Sequence, residues 1–285
     1  MLERSVAEEW VAAGDSLGES PRYDRRGNAI RWIDIDTGER KAAGLAGSEV
    51  TTERFPAPLG AHEIGVRADA VAVGGSWFAI DRADGSSRRI GSLDRPGIRF
   101  NDSGVDSRGR LWSATMREDE GMTGPPLGAL HLVTSEGLDP KLDGLTAGNG
   151  LGWTPADDVL YLVNSGPNHV LRIPFDPVSA ALGVPDIWLD AGGEDVDGLA
   201  VDSAGGVWVA VWGAGELRRY NAEAELVAVL EVPAAQVTAA CFAGPDLRTV
   251  VITTAARDQH AGTAGSLFRA TVPIPGRPAP LWRGY

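Results

Sequence analysis

The chain has 285 residues, 43% of them hydrophobic and 23% charged, and no apolar stretch approaches the ~20 residues that a membrane-spanning helix needs. Its 26 Lys and Arg against 39 Asp and Glu leave a formal charge of −13, a field that repels phosphate backbones and anionic headgroups and excludes nucleic acid and membrane surfaces as partners. The lone cysteine, Cys241, cannot close an internal disulfide, and the charged opening MLERSVAEEW lacks the apolar centre of a signal peptide, so the expected location is the cytoplasm.

Along the chain, 37 Gly and 18 Pro are spread between short runs of alternating apolar and polar residues, the pattern of many strands joined by tight turns. The first dozen residues come nearest to a helical spacing. One pattern then repeats six times: a polar residue, a short strand, a turn, and a second strand that carries an aromatic or β-branched anchor. The copies are ESPRYDRRGNAIRWID from Glu19, IGVRADAVAVGGSWFAID from Ile64, NDSGVDSRGRLWSAT from Asn101, NGLGWTPADDVLYLVN from Asn149, DGLAVDSAGGVWVAV from Asp197, and TAACFAGPDLRTVVITT from Thr238. Their anchors are Trp32, Phe78, Trp112, Tyr161, Trp208 and Val251. Further strands follow in GALHLVTSEG, HVLRIPFDP, GELRRYNAEA and GSLFRATV.

A unit of three to four strands recurring at about 44 residues is the period of a propeller blade. The predicted fold is therefore all-β, a six-bladed β-propeller forming a single domain over residues 1–285. A pair of β-sandwiches would need an irregular joining stretch, and none exists. The second copy is the weakest, with AVAV around Val71 as its first strand and a short interval from Phe78 to Trp112. The third carries an insertion, Arg117 to Pro126, placed to serve as a surface loop or a pocket wall. Residues Ala7 to Gly14 are placed to complete the last blade.

Set in register, the six copies open on Glu19, Ile64 (with Glu63 one step earlier), Asn101, Asn149, Asp197 and Thr238. Equivalent positions of a radial repeat lie at equal distances from its axis, so these side chains should converge at one mouth of the central channel. Two acids and two amides make an oxygen-only site suited to one divalent cation: Ca2+ first, or Mg2+ or Mn2+ with waters retained, with Zn2+ as an opportunistic occupant. The four histidines, His62, His131, His169 and His260, are too scattered for a structural zinc site. Taken singly, Asn or Asp ahead of a strand is a common turn-former.

GESP with Trp32-Ile33-Asp34, RFNDSGVDSRGRLWSATM, NGLGWTP with LYLVNS, DVDGLAVDSAGGVWVAVWG and CFAGPDLRTVVITTA resemble, in order from about Leu17 to Ala255, the signatures of the senescence-marker-protein, gluconolactonase and luciferin-regenerating-enzyme-like family, the regucalcin-like lactonases. The resemblance implies a six-bladed propeller holding one divalent cation, commonly calcium in structures, and hydrolysis of sugar lactones. It makes Glu19, Asn149 and Asp197 metal ligands and Asn101 a further ligand or substrate contact. It gives Arg99 to substrate binding, Asp197 a second role as general base, and Asp119 the place of the family's acidic substrate contact. Ser20, Ser103-Gly104, Ala114 and Asn164 depart from the family pattern and bear on substrate more than on chemistry.

The expected activity is a divalent-metal-dependent lactonase, a hydrolase whose metal polarises the carbonyl of a small, sugar-derived lactone while Asp197 activates water. One alternative is an organophosphate or ester hydrolase on the same site. Another is a non-catalytic calcium-binding or scaffold propeller. A small-molecule substrate is the expected partner, and the expected state is a monomer or weak homo-oligomer. The run Gly14-Asp15-Ser16-Leu17-Gly18 matches the GxSxG of serine hydrolases, but that pattern acts on a strand-to-helix elbow and here it leads into a strand. The nine Trp read as packing between blades, with Trp212 the candidate for a ligand wall, and Cys241 reads as a buried core residue.

Overall fold

Two turns show how the repeat is built. In DSRGRLW the Asp106 carboxylate accepts the backbone N–H of Arg108 (2.9 Å) and of Arg110 (3.1 Å), and Gly109 closes the turn at a φ of 77°. In DSAGGVW the Asp202 carboxylate accepts from Ala204 and Gly206, both at 2.9 Å, with Gly205 at a φ of 82°. The other oxygen of each carboxylate accepts the indole N–H of the strand leaving the turn, Trp112 at 2.9 Å and Trp208 at 3.1 Å. Local side-chain bonds thus fix both the hairpin and the rotamer of the large side chain that packs beside it.

The computed structural model describes residues 2–47, 49–119, 124–259 and 262–284. His260, Glu120 and residues 121–123 of the Arg117 to Pro126 insertion lie outside the described residues. Among the described residues there is no helix, hence none long and apolar enough to cross a membrane. The chain begins with β1 (Glu3–Val6) and β2 (Glu8–Val11). The first unit is β3 (Gly18–Asp24), β4 (Ala29–Asp34), β5 (Glu39–Gly44) and β6 (Val50–Arg54). The second is β7 (Leu59–Glu63), β8 (Ala68–Val73), β9 (Ser76–Asp81) and β10 (Ser87–Ser92). The third is β11 (Ile98–Val105), β12 (Leu111–Arg117), β13 (Gly128–Thr134) and β14 (Gly137–Leu145). The fourth is β15 (Ala147–Trp153), β16 (Val159–Ser165), β17 (His169–Asp176), β18 (Ala181–Leu182) and β19 (Asp186–Asp190). The fifth is β20 (Asp195–Val201), β21 (Val207–Trp212), β22 (Glu216–Tyr220) and β23 (Leu226–Glu231), and the sixth is β24 (Val237–Ala243), β25 (Thr249–Thr254) and β26 (Leu267–Thr271).

Within each unit, consecutive strands pair antiparallel, except that β19 joins β17 beside the short β18. Units three and four are continuous through a single residue pair, Met116 with Ala147. The N-terminus ties the end of the chain to its beginning: β2 adds to β26 as the fourth strand of the last sheet, as expected for Ala7 to Gly14, and β1 runs parallel along β23 of the preceding sheet. The helix-like spacing of the first dozen residues is therefore realised as two edge strands.

The second unit corrects the sequence register. Its first strand is β7; Val71 lies on the second strand and Phe78 on the third. By pairing with the first strand, the residues equivalent to Trp112 and Trp208 are Arg31 in the first unit and Ala70 in the second, which makes the spacing more even than Trp32 and Phe78 do.

Aromatic side chains fill the seams between units. Trp112, Trp153 and Phe175 meet with ring centroids 5.7–6.3 Å apart, Trp188 lies between Tyr161 and Tyr220, and Trp208 meets Phe242 at 6.4 Å. The C-terminal segment then crosses one face of the ring of sheets. Arg277 donates to the carbonyls of Trp153 and Thr154, and Arg283 N donates to Gly109 O. Trp282, fully buried, inserts beside Phe100 and Leu111 of the third unit and Trp77 of the second.

Candidate functional site

In every unit the pairing of first and second strands slips at one place: between Glu19 and Arg22, Leu59 and Ala61, Phe100 and Asp102, Gly148 and Leu151, Val196 and Leu199, and Val237 and Ala239. A slip leaves residues unpaired and turns their side chains out of the pleat. It falls on Gly60, Asn101, Asn149, Asp197 and Thr238, and in the first unit it follows directly on Glu19, the last residue to pair, with Ile33. Gly60, rather than Ile64 or Glu63, is thus the second unit's equivalent; a Cβ there would sit 2.1 Å from Phe100 O, so this sector has no room for a donor. Gly198, after Asp197, is constrained in the same way, with Ala239 Cβ 2.6 Å from where its own Cβ would be.

Glu19, Asn101, Asn149 and Asp197 line one cavity of about 360 Å³, together with Arg99 and Trp212. All four are at least nine-tenths buried except Asp197, which is half-buried. Their amides form a directional chain. Arg99 Nη1 donates to Asn101 Oδ1 (2.7 Å), Asn101 Nδ2 to Asn149 Oδ1 (2.6 Å), Asn149 Nδ2 to Ser165 Oγ (2.8 Å), and Ser165 Oγ to Val196 O (2.6 Å). Glu19 is held by its own turn: its carboxylate accepts Ser20 N at 2.7 Å, Ser20 adopts a φ of 49°, and the Ser20 carbonyl meets buried His62 Nε2 at 2.8 Å.

Burial first, then the charges of Asp197 and Asp102, hold the Glu19 carboxyl well above the usual carboxylate range. Burial and Asp102 do the same to Asp197, outweighing the guanidinium groups of Arg257 and Arg99. Two crowded acids beside two amide oxygens carry an excess of negative charge in a poorly solvated space. Such a donor set fits a hard divalent cation, which would offset the charge and use only oxygens. Among the described residues no three His, Cys, Asp or Glu side chains gather as a metal cage, so the amide oxygens of Asn149 and Asn101 are needed to complete one.

Not every candidate joins this cavity. Asp119 is absent from its lining and pairs with Arg117 instead. Thr238 is buried and donates to Gly18 O at 2.6 Å, tying the sixth unit to the first. Cys241 is only half-buried: it packs against the same core cluster as its neighbours Ala240 and Phe242 but also lines a different cavity. Burial pushes its thiol up to about 12. Ser16 of the GxSxG run donates to Asp36 at 2.7 Å between two strands, with no elbow. Trp212 does line the cavity. So do Ser165, Asp195 and Arg257, which sequence reasoning missed: Asp195 lies two residues before Asp197 on the same strand, Ser165 ends β16 and bonds Asn149, and Arg257, past the end of β25, is held there by Asp36.

The chain is 28% identical to a pentonolactonase from Haloferax volcanii over 92% of its own length and 93% of that protein. It is 29% identical to a 6-deoxy-6-sulfogluconolactonase from Pseudomonas putida over 94% of its length and 95% of that protein. Its fold matches the crystal structure of a calcium-binding protein, regucalcin, from Agrobacterium tumefaciens with a TM-score of 0.91 and 25% identity, covering 100% of both chains. A family model described as the SMP-30/Gluconolactonase/LRE-like region matches residues 17–256. Because that match runs from Leu17, in the cavity wall, to just past the second strand of the sixth unit and covers most of the chain, the chain belongs to the SMP-30/gluconolactonase/LRE-like family.

Proposed function

We propose that the chain is a six-bladed propeller hydrolase that opens a small, sugar-derived lactone, with one divalent cation held by Glu19, Asn149 and Asp197 and with Asn101 as a further ligand or substrate contact. The observation that carries this reading is the convergence on a single cavity of side chains at four strand slips, which are spread between residues 19 and 199. The lactonase names of the relatives from Haloferax volcanii and Pseudomonas putida support the substrate class.

When bound there, a divalent cation supplies polarisation of the lactone carbonyl and stabilisation of the negative charge that develops on its oxygen. The chain's own groups do the rest. Asp197 takes a proton from the attacking water onto a carboxylate oxygen and returns it to the ring oxygen as the C–O bond breaks. In the cation-free chain its buried, crowded setting favours the protonated form; with a cation bound that proton affinity falls, so the carboxylate is ionised and ready to accept the proton. Arg99, 3% exposed and braced on Asn101, presents its guanidinium to a substrate hydroxyl. Trp212 offers a flat wall for the sugar ring.

The test is proton release from five- and six-carbon aldonolactones above the spontaneous rate, lost with a chelator and restored by Ca2+, Mn2+ or Zn2+. Turnover of aryl esters or fluorophosphates without lactones overturns the substrate assignment. Cation binding without any turnover makes the chain a binding propeller.

A further inference from the structure

Asn149 can face the cavity with either its oxygen or its NH2, and only the oxygen can serve a cation. The choice is made by Ser165, at the end of β16, buried in the cavity wall. Ser165 Oγ has one proton, and it lies 2.6 Å from Val196 O, a carbonyl that can only accept. With that proton given to Val196, Oγ can only accept from Asn149, at 2.8 Å, so the group facing it must be Nδ2. Oδ1 is thereby turned toward Asn101, whose Nδ2 is fixed independently by Gly148 O at 3.1 Å. Flipping Asn149 would set its NH2 against that of Asn101 and force Ser165 to abandon a buried carbonyl.

We infer that Ser165 is a positioning residue that sets the amide polarity of Asn149, so that Oδ1 rather than Nδ2 is offered to a cation in the cavity. The inference rests on the proposed cation site. The same hydroxyl couples the fourth unit to the fifth, since Val196 immediately precedes Asp197. Partners that orient a ligand in this way typically govern about 10- to 100-fold in metal affinity.

The experiment is titration of the purified apo protein with Ca2+ and with Mn2+ by calorimetry, for wild type, Ser165→Ala, Asn149→Asp and the double variant, with thermal melting of each apo form. Carboxylate oxygens are equivalent, so at Asn149→Asp there is no polarity left to set. Ser165→Ala should weaken cation binding about 10-fold or more when made in the wild type and have little further effect when added to Asn149→Asp. Equal affinity of Ser165→Ala and wild type overturns the inference. An equal loss in both backgrounds also overturns it, since that is what a merely structural serine would give. If Ser165→Ala melts early, the comparison of Asn149→Asp with the double variant still decides, because a loss there of the same size marks a packing role. Failure of the wild type to take up either cation sinks the cation site itself, a result distinct from the other two.

Discussion

Two cavities lie along the same first strands, and they differ in how the charge of their acids is met. One is lined by Glu19, Asn101, Asn149 and Asp197, at the slips. The other, about 190 Å³, lies further along these strands and is lined by Arg22, Glu63, Asp102, Ser103 and Cys241, with Arg277 to Pro280 of the C-terminal segment across it. In the second cavity the chain supplies its own counter-charge: Arg22 donates to Glu63 at 2.8 and 3.1 Å and to Ser103 O at 2.8 Å, and the Ser103 hydroxyl also donates to Glu63. In the first cavity neither Glu19 nor Asp197 has such a partner among the described residues, and burial raises the proton affinity of both; Asp102, between Arg22 and these two acids, is itself pushed up by burial to about 6. A buried acid paired within the chain is part of the scaffold, whereas acids gathered with amide oxygens and outweighing their guanidinium neighbours mark a place for a ligand.

The contrast can be broken by exchanging effects between the two cavities. Asp197→Asn should lower kcat for lactone opening by about 10²- to 10⁴-fold while leaving the fold intact, read by steady-state kinetics and circular dichroism. Activity close to wild type removes Asp197 as the base. Trp282→Ala, which frees the segment covering the second cavity, should cost about 3–5 kcal/mol of stability in denaturant unfolding and leave the cation affinity of the first cavity unchanged. A matching loss of affinity would show that the two cavities are not separable. Glu63→Gln strips Arg22 of its main anion and should cost about 3 kcal/mol of stability with kcat near wild type. If turnover collapses without loss of stability, the second cavity has been misassigned as scaffold.

The smallest effect concerns a buried acid outside both. Asp15 accepts Trp32 Nε1 at 2.8 Å and Lys41 Nζ at 2.5 Å, yet burial pushes its carboxyl from 3.8 up to about 6. An acid with a raised folded pKa binds more protons folded than unfolded between pH ~4 and ~6, so its contribution to stability falls as pH rises through that window. The stability difference between wild type and Asp15→Asn should therefore drift against wild type by up to ~1.4 kcal/mol per pH unit there. A difference that stays constant with pH contradicts the burial account.

Features carried by local spacing were legible in the sequence. DSRGRLW and DSAGGVW announce their hairpins because the bonds of Asp106 and Asp202 to the turn amides and to the following Trp stay within a single hairpin, and the oxygen donors at Asn101 and Asp197 stand at the same offset ahead of them, as Glu19 and Asn149 do in their own units. The second unit was misphased because its slip falls on a residue without a side chain, Gly60, and its second strand ADAVAV has no aromatic, so Trp77 and Phe78 on β9 draw the register one strand too far. AACF is uniformly apolar, so spacing alone does not show that Cys241, though packed against the core, also borders a cavity. Ser165 and Arg257 reach the cavity, and Asp36 reaches Arg257, through pairings between distant segments that no spacing records.

The central claim is that the strand slips place the oxygens of Glu19, Asn149 and Asp197 around one cation. Anomalous diffraction from crystals soaked in Ca2+ tests it most directly. The account predicts a single strong peak in the first cavity, within about 2.3–2.6 Å of oxygens from all three side chains. A peak beside Arg22 and Glu63, at the surface alone, or none at all would contradict it.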